Sequence, residues 1–119
     1  MNERILRVNS EIQKAISEII MNELKNPMIK GLITVTKVDT TSDLDQSKIY
    51  VSIFEESTRE DVFNAIKHSA GFIRKELARR VDLRKVPFLT FFLDTSYDYG
   101  KKIDDAINKI NQERNWELK

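Results

Sequence analysis

Reactive side chains are scarce in this sequence. His68 is its only histidine and cysteine is absent. That leaves no Cys–His nucleophile and no soft ligand set for zinc. The acid pairs Asp43/Asp45 and Asp104/Asp105 lack the glycine and closing glutamate of a calcium loop, so they read as turn and helix-surface acids. Its three glycines, Gly31, Gly71 and Gly100, are too dispersed to build a phosphate-cradling loop. No catalysis, metal or cofactor is expected. What the chain does concentrate is positive charge. Between Lys67 and Lys85 stand seven Lys/Arg against two acids, a net of +5; the whole chain is +1, so the remainder carries −4. A field of this kind favours phosphate-rich partners. The plainer reading is a solvated helix face. Against it, the acids lie elsewhere instead of interleaving with the bases in i,i+4 pairs.

These cations must be positioned by the stretch from Thr58 to Pro87. Val62, Phe63, Ile66, Ala70, Ile73, Leu77 and Val81 recur three or four apart, which predicts one buried helical stripe. Lys67, His68, Gly71, Arg74, Lys75, Ala78 and Arg79 project to the opposite side. His68, beside Lys67, reads as an exposed or phosphate-contacting residue. The stripe runs through Ser69-Ala70-Gly71, where glycine weakens a helix by about 1 kcal/mol relative to alanine. A bend is expected there. Ser57-x-x-Glu60 and Thr58-x-x-Asp61 both have the spacing of a capping box at the start of this region.

Around that centre the chain reads as α-β-β-α-(bend)-α-β-α. Arg4 to Leu24 is an amphipathic helix stopped by Asn26-Pro27. Leu32–Thr41 and Lys48–Phe54 are β-branched runs joined by a short polar link, hence an antiparallel hairpin. Phe88–Asp94 is a third strand, apolar enough on both faces to be central or largely covered. Its phenylalanines read mainly as core, with base stacking as the other use. Thr95-Ser96 precedes a last helix with Tyr99, Ile103, Ala106, Ile107 and Ile110 on its stripe; Asn111–Lys119, Trp116 included, loses the period. Three strands with helices on one side make an α+β layer. A single domain over residues 1–113 with a frayed tail at 114–119 fits the length. The composition, 40% hydrophobic and 33% charged without an apolar run near the ~20 residues of a membrane span, is that of a soluble domain. The absence of cysteine and of a signal-like start point to the cytoplasm.

In order and spacing, several segments resemble the ribosome-binding factor A family. They are Arg4-x-x-Arg7-Val8, Ile33-Thr34-Val35-Thr36-x-Val38, Asp43-Leu44 with Lys48-Ile49-Tyr50-Val51-Ser52, and Gly71-x-Ile73-Arg74-x-x-Leu77. Leu83-Arg84-x-x-Pro87-x-Leu89-x-Phe91 and Asp94-x-Ser96-x-x-x-Gly100-x-x-Ile103 extend the likeness to about Ile110. The resemblance implies a type II KH-like fold and a monomer that binds 16S rRNA in free or immature 30S subunits. It also implies a part in late maturation, 16S rRNA processing and growth in the cold. The family's kinked helix carries an Ala-x-Gly motif; here Ser69-Ala70-Gly71 departs at the first position. Serine is still small, and its hydroxyl can bond back one turn and favour a bend. Asn26-Pro27-Met28 replaces the acidic-Pro-basic run expected at the first turn.

With the charge pattern, this assigns RNA binding to Lys67, Ser69, Gly71, Arg74, Lys75, Arg79, Arg84 and Lys85, with Arg4 and Arg7 on the first helix. A small protein-interaction or ligand-binding regulatory domain is the alternative. Gly71 admits two readings. In a continuous helix alanine would stabilise; at a bend with positive φ alanine would be penalised. The resemblance favours the bend, with a loss of stability on Gly71→Ala.

Overall fold

The isoleucine face of the first helix is the surface on which everything else is laid. The computed structural model describes residues 2–96. In α1 (Glu3–Asn22), Ile5, Val8, Ile12, Ile16, Ile19 and Ile20 are buried together with Ala15. Asn2 caps the helix, its side chain accepting a hydrogen bond from the Arg4 amide. The helix stops short of Leu24 because the Glu23 and Leu24 amides both close onto the Ile19 carbonyl. Asn26 then turns the chain into Pro27, accepting from the Met28 amide at 2.9 Å.

β1 (Ile33–Thr40) and β2 (Gln46–Ile53) form the expected antiparallel hairpin. Its register passes from Val35↔Val51 directly to Lys37↔Tyr50, so Thr36 is a bulge. The bulge corrects the phase of the strand. Strict alternation from Val35 would turn Lys37 and Asp39 inward; with one residue extra, Val38 and Thr40 are buried instead. Two side chains of α1 fix β1 at these points. Gln13 donates to the Val35 carbonyl at 2.8 Å, and Asn9 accepts from the Thr40 amide at 3.0 Å. The hairpin turn is held by Thr41, whose hydroxyl donates to Asp43 and accepts from the Asp45 and Gln46 amides. That scaffold lets Leu44 take φ 62° and still bury its side chain.

α2 (Arg59–His68) follows a single 3₁₀ turn at Glu56–Thr58, and α3 (Ala70–Arg80) follows α2 after one residue. Neither expected capping box forms: Thr58 makes no side-chain cap bond, and Ser57 donates to Glu55 instead. The single 3₁₀ turn takes up Ser57 and Thr58, the two residues that would otherwise cap the helix. Arg59 ties this corner to the sheet by donating to the Ile53 carbonyl at 2.9 Å. The predicted stripe is real across both helices. Val62, Ile66, Ile73 and Leu77 are fully buried with Ile12, Ile16 and Ile19, while Phe63, Ala70 and Val81 pack against them half-covered.

β3 (Phe88–Leu93) corrects an expectation. It pairs parallel to β2, in register from Gln46↔Phe88 to Val51↔Leu93, and lies at the edge of a sheet ordered β1-β2-β3. The central strand is β2. Only one face of β3 meets the helices: Phe91 is buried, whereas Phe88 and Phe92 stay 60% and 38% exposed. A six-residue apolar run does not by itself say how many faces are covered. Here the helical crossover that delivers a parallel strand covers one. The last predicted helix, from Tyr99 to Ile110, and the tail around Trp116 lie outside the described residues. Among the described residues no helix is long and apolar enough to cross a membrane.

The sheet is latched on its outer side by Asp94. Its amide donates to the Val51 carbonyl, and its carboxylate accepts from Thr36 at 2.7 Å and from the Ser96 hydroxyl and amide at 2.6 and 2.9 Å. The Ser96 hydroxyl, then Thr36 and the Ser96 amide, hold this carboxyl below the ordinary aspartate range. A depressed native pKa contributes stability above the unfolded value, and that stability is lost as pH falls through the native one. Asp94→Asn should therefore be less stable at pH 7 by about 0.5–1 kcal/mol, the low end for solvated charge-assisted bonds. In urea melts the gap to the parent should close below about pH 4. A gap that is constant down to about pH 3 would remove the charge from this account.

Candidate nucleic-acid interface

The helix pair changes direction at Ser69, whose backbone (φ −90°, ψ 5°) leaves helical geometry for a single residue. Its amide bonds to the Ala65 and Ile66 carbonyls, and its hydroxyl donates to the Ala65 carbonyl at 3.0 Å. The Ile73 amide then picks up the Ser69 carbonyl at 2.9 Å. A serine back-bond of this type competes with the helix ladder and bends it. The bend is therefore present, but Gly71 is not its cause. Gly71 lies in the first turn of α3, and Gly31 is the only described glycine with positive φ. A Cβ placed on Gly71 would meet nothing within 4 Å. The steric penalty expected for alanine is overturned: the site is open helix surface.

The cations on this surface divide into two kinds. Some are engaged. Arg74 is half-buried, donates from Nε to the Pro87 carbonyl at 3.1 Å and from Nη2 to the Val86 carbonyl at 2.8 Å, and lies 4.3 Å from the centre of the Phe88 ring. It clamps α3 to the start of β3. Arg80 bridges to Glu18 of α1 and to Glu23 just beyond its end, at 3.4 and 3.0 Å. Lys85 pairs with Asp45 at 2.7 Å, tying the crossover to the hairpin turn; that bond raises the lysine above its usual range. Arg79 meets Glu76 at 3.3 Å but remains largely exposed.

Others are available. Lys75 and Arg84 are exposed and have no ion pair among the described residues. Lys67 holds its ammonium 4.9 Å over the ring of Phe63, on solvated surface next to exposed His68. Gly71, Arg74, Lys75, Ala78 and Val86 line an open concavity of about 410 Å³. Gly71 contributes bare backbone there, with room for a second backbone to approach. Arg4 and Arg7 are exposed on the first turns of a different element, α1. The clamp function of Arg74 is not legible in the charge pattern. Its only sequence signal is a spacing of thirteen residues to Pro87, which means nothing before the crossover is known. The open aromatics of β3 escape sequence reasoning for the same reason.

The arrangement has relatives. The family model for ribosome-binding factor A matches residues 4–107. This chain belongs to the ribosome-binding factor A family. The ribosome-binding factor A of Clostridium botulinum (strain Loch Maree / Type A3) is 42% identical over 109 residues, covering 91% of each chain. The crystal structure of ribosome-binding factor A from Thermus thermophilus superposes with a TM-score of 0.66 at 28% identity, over 75% of this chain and 94% of that one. A homology model of the Thermus thermophilus factor, fitted into the cryo-electron microscopy map of a 30S complex of that protein, gives 0.62 at 29% identity. That match covers 73% of this chain and 91% of the other. The fold is accordingly the type II KH-like α+β fold of ribosome-binding factor A, with its helices on one side of the three-stranded sheet.

Three substitutions test this division of labour. Gly71→Ala should raise stability in urea by about 0.4–1 kcal/mol, since alanine fits the backbone and restricts the unfolded chain. A destabilised variant would return the bend to Gly71. Arg74→Ala should cost about 1–3 kcal/mol by leaving two carbonyls and the Phe88 ring without their partner. Lys75→Ala should change stability by less than about 0.5 kcal/mol.

Proposed function

We propose that this protein is a non-catalytic assembly factor that binds 16S rRNA in free or immature 30S subunits. It acts in the cytoplasm as a monomer, supports late small-subunit maturation and 16S rRNA processing, and matters most for growth in the cold. Membership of the ribosome-binding factor A family supports the ribosomal setting, as does the likeness to the factor fitted in a 30S complex. The observation that carries the molecular reading is the open part of the α2–α3 surface. Lys75 and Arg84 are exposed, without an ion pair among the described residues, next to a glycine backbone that another backbone can reach. A phosphodiester chain needs those two features, spaced cations and close approach, and nothing reactive.

Lys75 and Arg84, with Lys67 and Arg79, contact phosphates in this scheme. Arg74 shapes the surface and lends its remaining hydrogen-bonding capacity. Ser69 sets the bend, and Lys85, held by Asp45, contributes field more than contact. Arg4 and Arg7 form a second, outlying contact.

For every phosphate that is no longer neutralised, the slope of log affinity against log salt should fall by roughly 0.7–0.9. Lys75→Ala with Arg84→Ala should flatten that slope by roughly 1.4–1.8 while leaving urea stability within about 0.5 kcal/mol of the parent. In sedimented cell extract the protein should travel with free small subunits. An unchanged slope in the double variant, or equal distribution onto translating ribosomes, would sink the reading.

A further inference from the structure

The face of the sheet turned away from the helices carries aromatic side chains where solvent-facing positions are normally polar. One row crosses all three strands: Lys37 on β1, Tyr50 on β2 and Phe92 on β3 occupy consecutive register positions. Tyr50 and Phe92 are stacked, with ring centres 5.3 Å apart and planes inclined by 23°. The Lys37 ammonium sits 5.7 Å from the Tyr50 ring. At the start of β3, on the same outward face as Phe92, Phe88 lies under the Arg74 guanidinium.

We propose that this face is a stacking platform for unpaired bases of single-stranded RNA, continuous with the phosphate-tracking α2–α3 surface. The proposal rests on the RNA-binding reading above and extends it from phosphates to bases. Cross-strand packing accounts for the Tyr50–Phe92 pair in part, but it does not account for Phe88, 60% exposed at the other end of the strand. The aromatics are bordered at both ends by cations, as bases attached to phosphates require. Arg74 makes the join, since it neighbours Lys75 on the helix and covers Phe88 on the sheet. Acids do not spoil the face: Asp94 is occupied by Thr36 and Ser96, and Asp39 stands opposite Lys48. A stacked aromatic pair under one cation, a second exposed ring under another, and Thr90 opposite Lys48 between them match a nucleic acid better than an apolar protein surface.

The test uses the full chain and two single-stranded RNAs of equal length, one with bases and one abasic, titrated by fluorescence anisotropy at several salt concentrations. The parent should bind the base-containing RNA more tightly. Phe92→Leu and Tyr50→Leu, which keep apolar bulk and so protect the fold, should each weaken that binding roughly 5- to 100-fold. Affinity for the abasic strand and both salt slopes should stay as in the parent, and Phe92→Trp should restore binding. Equal affinity of the parent for the two strands, with a normal salt slope, would overturn the platform and leave the phosphate reading standing. Absence of salt-dependent binding to either strand would overturn both. A dimer of the RNA-free protein that Phe92→Leu dissolves would give the face to a second copy instead.

Discussion

A single serine decides where the basic surface points. Ser69 commits its hydroxyl and its amide to carbonyls of the turn behind it, which ends α2 one residue before α3 begins. Ile66 and Ile73 are both completely buried on either side of that break. The stripe therefore keeps one core while the helix axis changes. Beyond Ser69, α3 carries Arg74 to the carbonyls of Val86 and Pro87, so the residue that breaks the helix and the clamp that fixes the start of β3 lie five residues apart on one segment.

Charge in this molecule is partitioned between holding and offering. Arg80, Lys85 and Arg74 fasten α3 and the crossover to α1, the hairpin turn and β3 respectively. Exposed ion pairs of this sort contribute little energy singly. They nevertheless fix a geometry in which Lys75 and Arg84 have no ion pair among the described residues. An unmodified count of +5 over the segment overstates the cations on offer, because part of it is already neutralised by acids of distant segments. The −4 on the rest of the chain is partly where those partners come from.

How much is legible in advance follows from the range of each interaction. Helix stripes and the hairpin are local patterns, and Ile12, Ile16, Ile66 and Ile73 can be read from spacing alone. The break is legible too, and of the two causes the sequence offers, the back-bond of Ser69 is the one that forms, while positive φ at Gly71 is not. Glycine weakens a helix anywhere, whereas a back-bonding serine acts only when the carbonyl four residues earlier can receive it, as that of Ala65 does here. The exposure of Phe88 and Phe92 stays hidden because burial on the second face of a strand is a property of the neighbouring layers. Arg74 is visible as a cation and invisible as a clamp, since its acceptors are backbone carbonyls, which leave no trace in residue type.

The bulge at Thr36 has one more effect. β1 is an edge strand of eight residues, rich in valine and threonine, the kind of segment that a stray strand from another molecule could lengthen into a shared sheet. An extra residue interrupts the row of amides and carbonyls near its middle, adds local twist, and sets Lys37 outward at the interruption. The same insertion that keeps Lys37 and Asp39 out of the core is thus also one of the devices by which an edge strand is blunted as a template for strand addition, here on a sheet with one open face.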